Sequence, residues 1–266
     1  MPITRQPRAK RCGDKARAVY PQPRQRSVFC ISLKWAEGCK GARLDSNPAP
    51  VFDGGLTNAP PDLNAAYNLT SPAASKRLYA AWAKSYDLSF AAQESYHLPF
   101  QTAQTFVTAG GSGPVLDAGA GTGLCGQALS DLGVSALEAT DISADMLEQA
   151  TKKGIYRAVI EADLLRGIPV PNGRYQGVVS SGTFTHGHIG PEALPELLRV
   201  AASGAQFALS INTKFYHVAQ FDTALDDLVN SGIITNLALP EVPIYGEAAS
   251  TDHRNDTAFI ALFKKS

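Results

Sequence analysis

Short apolar runs alternate with amphipathic stretches along most of the chain. The apolar runs predict strands, and the stretches between them carry apolar residues at helical spacing. Strands are predicted near residues 114–118, 134–140, 156–161, 176–181 and 205–211, and helices near 124–132, 144–152, 192–201 and 219–230. This alternation predicts an α/β fold with a mainly parallel sheet covered on both faces.

The end of the chain departs from this alternation. Residues 233–239 and 257–264 have strand-like patterns, but the segment that joins them, 240–256, leaves no room for a helix of useful length. Parallel neighbours need a helical crossover, so these two strands are expected to be antiparallel. The complete prediction is a seven-stranded, mainly parallel sheet with an antiparallel last strand.

The region before the first strand predicts a helical N-terminal cap. The serine and proline at 71–72 supply an N-cap and a first-turn proline. Leu78, Trp82 and Tyr86 follow at helical spacing, and a second helix is predicted over 99–109. The aromatic side chains either pack the first helix against the domain or cover a bound ligand.

A glycine-rich turn follows the first predicted strand. Gly119, Gly121 and Gly123 alternate after a strand that ends in Asp117. Glycine tolerates positive φ and lets a ligand approach the backbone, and the next helix offers free N–H groups and a positive dipole end. These features predict a binding site for a nucleotide-like ligand.

Two nucleotide cofactors fit this turn. Residues 121–126 also read as Gly-x-Gly-x-x-Gly, with Asp141 about 20 residues later, as in dinucleotide sites. Asp117, however, would repel a pyrophosphate and attract the ammonium of a methionine moiety. The sequence therefore favours S-adenosylmethionine over NAD. An ordinary strand-to-helix turn with packing glycines is the third interpretation.

Two further predicted strands end in carboxylates. Asp141 is placed to accept both ribose hydroxyls of a nucleoside, and Ile142 offers an apolar face to adenine. Asp163 is placed to accept from the exocyclic amine of adenine. In the alternative interpretation Asp141 caps the next helix, whose expected N-cap is Ser143, and Asp163 is a turn residue without a ligand.

These motifs, in this order, resemble those of the class I S-adenosylmethionine-dependent methyltransferases. The resemblance spans roughly 75–265, with the glycine-rich motif at 115–123, the ribose-binding acidic loop at 140–146 and the adenine loop at 162–164. It implies a Rossmann-like fold, methyltransferase activity and S-adenosylmethionine as cofactor. The cofactor-binding residues that it implies are Asp117, Gly119, Ala120, Gly121, Thr122, Gly123, Asp141, Ile142, Met146, Asp163, Leu164 and Ser180.

A second stretch narrows the resemblance. Residues 180–188, followed by 191–200, resemble the small methyltransferase-like group related to the Williams–Beuren-region methyltransferase-like protein. The methyl acceptor does not follow from this resemblance. One departure from the broader family is the Tyr-Gln-Gly sequence at 175–177, where a Phe-Asp-Leu-like triplet is usual.

The chemistry of methyl transfer depends mainly on proximity and orientation. His186 and His188, just past the fourth predicted strand, are the candidate general bases, although they alternatively only cap or solvate their loop. Residues 180–183 carry no Asn-Pro-Pro-Tyr-like tetrad, and Cys125 lies in the cofactor turn rather than in a Pro-Cys context. A small-molecule acceptor is therefore expected ahead of DNA or protein. A cofactor-binding but inactive regulatory protein and an NAD-dependent oxidoreductase are the alternative functions.

Charge is unevenly distributed in a chain whose formal net charge is zero. Residues 1–44 carry 11 Lys and Arg against 2 acidic residues, and the remainder carries 13 against 22. Such an acidic remainder is a poor surface for nucleic acid. The composition predicts a basic, disordered arm over 1–60 before a methyltransferase domain over 61–266. An RNA-binding or acidic-partner tail and a transit peptide are alternatives for the arm.

Cysteine spacing and hydropathy set the remaining expectations. Of the 4 cysteines, Cys125 alone lies in the predicted domain, and no disulfide or zinc spacing is present, so no metal is expected. No apolar run approaches the ~20 residues that are needed to span a bilayer. We therefore expect a soluble, cytoplasmic protein without a membrane partner.

Overall fold

The computed structural model describes Ala66, Leu69 and residues 72–92, 94–247, 249 and 253–266. All of these belong to one unit, Leu56–Ser266. The predicted basic arm over 1–60 lies outside the described residues. The boundary at residue 61 therefore stays a prediction.

The described residues form one eight-stranded sheet in the order β3-β2-β1-β4-β5-β8-β6, with β7 also paired to β8. The first five strands in the chain are parallel, and β8 is antiparallel to β5, β6 and β7. The strands are β1 Val115–Ala118, β2 Leu137–Asp141, β3 Tyr156–Glu161, β4 Tyr175–Phe184, β5 Ala201–Asn212, β6 Ile234–Ala238, β7 Glu241–Pro243 and β8 Thr257–Lys265. The predicted mainly parallel sheet with an antiparallel last strand is confirmed.

The eighth strand is the short β7, which the sequence pattern did not predict. It pairs with the first part of β8, and β6 pairs with the last part of the same edge. Between them the carbonyl of Pro240 accepts from the backbone N–H of Ile260 at 2.9 Å. Strands β6 and β7 thus act as one strand interrupted at a proline, which cannot donate to the ladder.

The helices lie between the strands as the periodicity predicts. They are α1 Pro72–Trp82, α2 Leu98–Thr108, α3 Leu124–Asp131, α4 Ala144–Lys152, α5 Leu194–Val200, α6 Thr213–Tyr216 and α7 Phe221–Asn230, with a π-helical segment at Tyr86–Ala91 and a 3₁₀ turn at Pro191–Ala193. The predicted extension of the first helix through Tyr86 is wrong. Helix α1 ends at Trp82, a turn follows, and Tyr86 begins the π-helical segment.

The sheet separates two apolar cores, because successive side chains of a strand point to opposite faces. On one face Leu116 of β1 belongs to a cluster with Phe207 of β5 and Leu197 of α5. On the other face Val115 belongs to a cluster with Phe106 of α2. Both faces of the parallel sheet are therefore buried, as such sheets require.

Gly177 gives a packing reason for the unusual Tyr-Gln-Gly sequence at 175–177. A Cβ atom at this position would run into the ring of Phe106, which is fully buried on α2. Tyr175, the first residue of β4, donates its hydroxyl to Glu138 Oε2 at 2.8 Å. The segment therefore has a structural role in seating α2 and in binding the carboxylate of β2.

The strand order reverses between β1 and β4, since one half of the sheet runs β1-β2-β3 and the other runs β4-β5. In doubly wound sheets such a reversal opens a crevice at the carboxyl ends of the two strands, and ligands bind there. The glycine turn at 119–123 and the residues after β4 both lie at this crevice. The fold thus brings the candidate residues of separate motifs to one edge of the sheet.

Candidate active site

A cavity of about 150 Å³, here called the main cavity, lies at this crevice. Predicted residues from all three acidic motifs contribute to its lining. Those that line it are Gly119, Ala120, Gly121, Thr122, Asp141, Ile142, Met146, Asp163 and Leu164. The three motifs, which the sequence places up to about 45 residues apart, therefore meet around one space.

Glycine is required at the three alternating positions for different physical reasons. All of Gly119, Gly121 and Gly123 have positive φ, which favours glycine. A Cβ atom on Gly119 would collide with Thr183 of β4, and one on Gly123 would lie 2.9 Å from the ring of Tyr156. A Cβ on Gly121 would meet nothing within 4 Å. Gly121 is thus the glycine whose missing side chain leaves space at the cavity.

Asp117 lies beneath the glycine loop, which we define as residues 119–123, and is not part of the cavity lining. Its side chain is fully buried, and its Oδ2 accepts from the Tyr156 hydroxyl at 2.6 Å. The other oxygen, Oδ1, is buried without a hydrogen-bond partner. The structure thus differs from the sequence interpretation, in which this carboxylate faces the ammonium group of a cofactor.

Burial sets the protonation of this carboxyl group. Removal from water raises the pKa of Asp117 to about 6, while the hydrogen bonds from Tyr156 and from the backbone N–H of Gly126 act in the opposite direction. The same burial, together with the nearby Asp117 charge, raises the pKa of the Tyr156 phenol well above its ordinary value. Tyr156 therefore remains protonated and is the donor in the pair.

Asp141 is the carboxylate that joins the second motif to the glycine loop. Its Oδ2 accepts from the backbone N–H of Gly121 at 2.8 Å, and its Oδ1 accepts from that of Ser143 at 2.9 Å. Burial raises its pKa, and these backbone donors oppose that rise. The Ser143 hydroxyl also accepts from the N–H of Met146, which confirms Ser143 as the N-cap of α4.

Two other predicted site residues lie apart from the main cavity. Ser180 is fully buried in β4, and its hydroxyl donates to the carbonyl of Ala118 at 2.7 Å. Gly123 packs against Tyr156 instead of facing the cavity. The residues of β4 that do line the cavity are the next three, Ser181, Gly182 and Thr183. The hydroxyl of Ser181 is buried there without a protein partner.

The N-terminal cap, here residues 72–91, covers the main cavity, as in the interpretation in which its aromatic side chains cover a bound ligand. Ser75, Tyr79 and Tyr86 belong to its lining. Asp87 fastens the cap to the loop below, since its Oδ1 accepts from the Thr122 hydroxyl at 2.5 Å and its Oδ2 lies 2.6 Å from Lys153 Nζ. A single sequence gives no signal for these pairings, because they join residues 35 and 66 positions apart.

His188 lies between the cap and the end of β4 and lines the main cavity. Its Nδ1 lies 3.0 Å from the carbonyl of His186, and its Nε2 lies 3.0 Å from the Tyr79 hydroxyl. A carbonyl only accepts, so the proton of neutral His188 belongs on Nδ1, and Nε2 accepts from Tyr79. Burial lowers the pKa of His188, which favours this neutral form.

A second, smaller cavity of about 60 Å³, here called the aromatic pocket, adjoins the main cavity. Both cavities are lined by Tyr79, Tyr86, Tyr96, Gly182 and His188, which therefore form a shared wall. Residues that line the aromatic pocket alone include Trp82, Phe90, Phe184, His186, Ser210, Asn212 and Tyr245. His186 thus lies farther from the main cavity than His188 does.

Comparisons with known proteins agree with this geometry. Residues 115–204 match the methyltransferase domain family. The human protein named methyltransferase-like protein 27 is 29% identical over 189 residues, which cover 68% of this chain and 76% of that protein. Both comparisons support the assignment of this chain to the methyltransferases.

Solved structures share the fold of this methyltransferase. A Methanococcus maripaludis protein described as a candidate S-adenosylmethionine-dependent methyltransferase has a TM-score of 0.51 and 19% identity, covering 72% of this chain and 93% of that one. The Burkholderia thailandensis 1,6-didemethyltoxoflavin-N1-methyltransferase, with 1,6-didemethyltoxoflavin and S-adenosylhomocysteine bound, has a TM-score of 0.51 and 17% identity over 74% and 92% of the two chains. The predicted fold is confirmed, and the match of residues 115–204 to the methyltransferase domain family supports the predicted enzyme class.

No helix of the described residues is both long and apolar enough to cross a bilayer. In the same part of the chain, no three side chains of the metal-ligating types come together.

The packing of Tyr156 predicts the effect of Gly126→Ala. A Cβ at position 126 would collide with the Tyr156 hydroxyl and ring, so the tyrosine must move and release Asp117. We expect a loss of about 1–3 kcal/mol in the free energy of unfolding, as for other overpacked cores. In a Tyr156→Leu background the same glycine change should cost much less, and denaturant unfolding of the four proteins measures this coupling. An equal cost in both backgrounds would contradict the assignment.

The raised pKa of Asp117 predicts a pH-dependent stability. Because the folded-state pKa of about 6 exceeds the ordinary 3.8, the folded protein binds this proton more tightly than the unfolded chain does. The benefit is complete below 3.8 and is lost as the pH rises through 6, at a cost of up to about 3 kcal/mol. Asp117→Asn should therefore unfold at higher urea at pH 7.5, with the gain disappearing near pH 4. Exposed Asp226→Asn is the control, and a gain that is independent of pH would refute this account.

Proposed function

We propose that this methyltransferase binds S-adenosylmethionine in the main cavity and passes the methyl group to a small-molecule acceptor held in the aromatic pocket. The observation that carries the proposal is the wall that the two cavities share. Groups bound in the two cavities contact the same side chains and therefore lie close to each other. Methyl transfer needs little more than such an arrangement, because the sulfonium leaving group is already activated.

The charges of the main cavity fit this cofactor. Asp141 and Asp163 contribute carboxylates, and among the described lining residues there is no Lys or Arg. Two carboxylates attract a ligand that carries a sulfonium and an ammonium, and they would repel the pyrophosphate of a dinucleotide. The buried Ser181 hydroxyl without a protein partner also supports a polar ligand at this position.

Each lining residue has a role that its geometry permits. Asp141 uses one lone pair of each oxygen on the protein backbone, which leaves further lone pairs for two ribose hydroxyls. Ile142, Met146 and Leu164 provide apolar surface for adenine, and Asp163 accepts from its exocyclic amine. The open space over Gly121 lets the cofactor approach the loop backbone; Gly119, Ala120 and Thr122 supply the rest of that surface.

The predicted residues outside the cavity act through the loop. Asp117 and Gly123 hold the loop and the start of α3 against Tyr156, and Ser180 fixes the carbonyl of Ala118 at the end of β1. These three are positioning residues in the proposal. Their contribution to cofactor affinity comes from keeping the loop in its binding conformation.

His188 is the proposed general base. Its neutral form leaves Nε2 as an acceptor at the shared wall, where Tyr79 now donates to it. An acceptor hydroxyl or N–H that takes the place of Tyr79 can give its proton to this nitrogen. The imidazole of His186 lines only the aromatic pocket, and the backbone carbonyl of this residue orients His188.

Asp141→Ala should weaken binding of S-adenosylhomocysteine by about 30- to 150-fold. The reason is the loss of two charge-assisted hydrogen bonds, worth about 2–3 kcal/mol together. Asp145→Ala is a matched control, because it removes an exposed carboxylate a few residues later, in the first turn of α4. Calorimetric titration of the full chain measures both. Affinity of the Asp141→Ala protein equal to that of the parent would rule out the ribose assignment.

His188→Asn should lower methyl transfer by ~10²-fold or more and leave affinity for S-adenosylhomocysteine unchanged, since a base acts only in the transition state. Transfer is followed with labelled S-adenosylmethionine and a small-molecule extract. In the parent protein the rate should decline only below pH 6.5, because burial lowers the pKa of His188 from that value. His186→Asn keeps the orienting carbonyl and should remain active. Equal rates for His188→Asn and the parent would show that positioning alone suffices.

A further inference from the structure

We infer that the aromatic pocket takes an uncharged aromatic molecule whose reacting group is a hydroxyl or a ring N–H. The inference rests on the proposed function, since it treats this pocket as the acceptor site. It adds the chemical class of the acceptor. Four observations support the inference: the aromatic rings of the pocket, the lack of charged side chains among its described lining residues, the main cavity beside it, and the base His188.

The walls of the pocket are rings that contact one another. Phe90 lies 5.2 Å from Trp82 and 6.2 Å from Tyr245 between ring centroids, and its plane is nearly perpendicular to that of Tyr245, at 89°. Phe184 closes the side formed by β4. Offset and edge-to-face contacts with such rings favour another ring over an aliphatic chain of equal area.

The described residues that line the aromatic pocket include no Asp, Glu, Lys or Arg. Two of its polar oxygens already accept hydrogen bonds: Asn212 Oδ1 accepts from the backbone N–H groups of Lys214 and Phe215, and Ser210 Oγ accepts from that of Gly182. A carboxylate, phosphate or ammonium on the acceptor would lose its water without gaining a counter-charge.

The neighbouring cavity argues separately against a cationic acceptor. Trp82 and the tyrosines would otherwise suit an ammonium group, because aromatic faces attract cations. In the proposed function, however, a sulfonium lies just across the wall that Tyr79, Tyr86 and His188 form. Two cations in one poorly hydrated site repel each other strongly. An amine would also have to lose its proton before its lone pair could react.

A hydroxyl or ring N–H gives a step that balances. The acceptor passes its proton to Nε2 of His188, which becomes imidazolium while Nδ1 keeps its bond to the His186 carbonyl. The lone pair left on the acceptor forms the bond to the methyl carbon, and the carbon–sulfur bond breaks with its electron pair going to sulfur. Negative charge that develops on the acceptor is attracted to the sulfonium.

Three phenols of nearly equal shape test the charge argument. In the probes 4-ethylphenol, tyramine and 4-hydroxyphenylacetate the same ring and hydroxyl carry a neutral, a cationic or an anionic tail. Each is titrated calorimetrically into the full chain saturated with S-adenosylhomocysteine, and each is offered with labelled S-adenosylmethionine. We expect 4-ethylphenol to bind at least tenfold more tightly than either charged probe and to be methylated fastest.

A pair of phenylalanine variants locates the binding. Phe90→Leu removes one ring from the aromatic pocket, and Phe90 itself does not line the main cavity, although it packs against Tyr86 and Tyr96, which line both cavities. It should therefore weaken 4-ethylphenol about 3- to 10-fold and weaken S-adenosylhomocysteine by less. Phe263→Leu is the matched control, because Phe263 is fully buried in β8 and stacks on Phe207 outside both linings. It should lower stability and leave both affinities intact.

The outcomes separate the two proposals. Failure of the full chain to bind S-adenosylhomocysteine would contradict the proposed function itself. Binding of that compound together with equal or tighter binding of a charged probe would overturn only the acceptor class. The same conclusion would follow if none of the three probes bound, or if Phe90→Leu and Phe263→Leu had equal effects on 4-ethylphenol.

Discussion

The conformation of the glycine loop depends on one partly buried side chain, that of Tyr156. Its ring fills the space that Gly123 and Gly126 leave by lacking Cβ atoms, and its hydroxyl ends on Asp117. Three elements therefore meet at one phenol: the end of β1, the start of α3 and the start of β3. Any larger residue at either glycine would push the tyrosine away and remove its hydrogen bond from the buried carboxylate of Asp117, which costs more than the hydrogen bond itself contributes.

The order and type of the elements could be predicted from hydrophobic period, because alternating runs with their caps are local features. Ser143 caps α4 as its neighbours suggest, and the antiparallel end follows from a linker too short for a helix. The interruption before Tyr86 could not be predicted, since the same aromatic spacing suits one long helix or two short segments packed on a common surface. The strand β7 could not be predicted either, because Pro240 precedes it and Pro243 is its last residue.

The sequence could predict which motifs form the site, but not the directions in which their side chains point. The sequence places Asp117, Asp141 and Asp163 each at or just after the end of a strand, yet only the last two line the cavity. A side chain at the end of β1 can face either the cavity or the protein interior. Asp117 faces the interior, where it accepts a hydrogen bond from Tyr156, a residue distant in sequence. Likewise Ser180 and Ser181 alternate across β4, so that adjacent serines have unrelated surroundings.

The wall shared by the two cavities has a consequence for how such an enzyme can diverge. In the proposed function, replacing Tyr79 or Tyr86 disturbs both cavities at once, so selection on the common cofactor restrains these positions. Trp82, Phe90 and Tyr245 border the smaller cavity alone, and that selection reaches them only through their packing on the shared tyrosines. A descendant lineage can therefore acquire a new acceptor by drift at the outer rings while its cofactor chemistry is inherited unchanged.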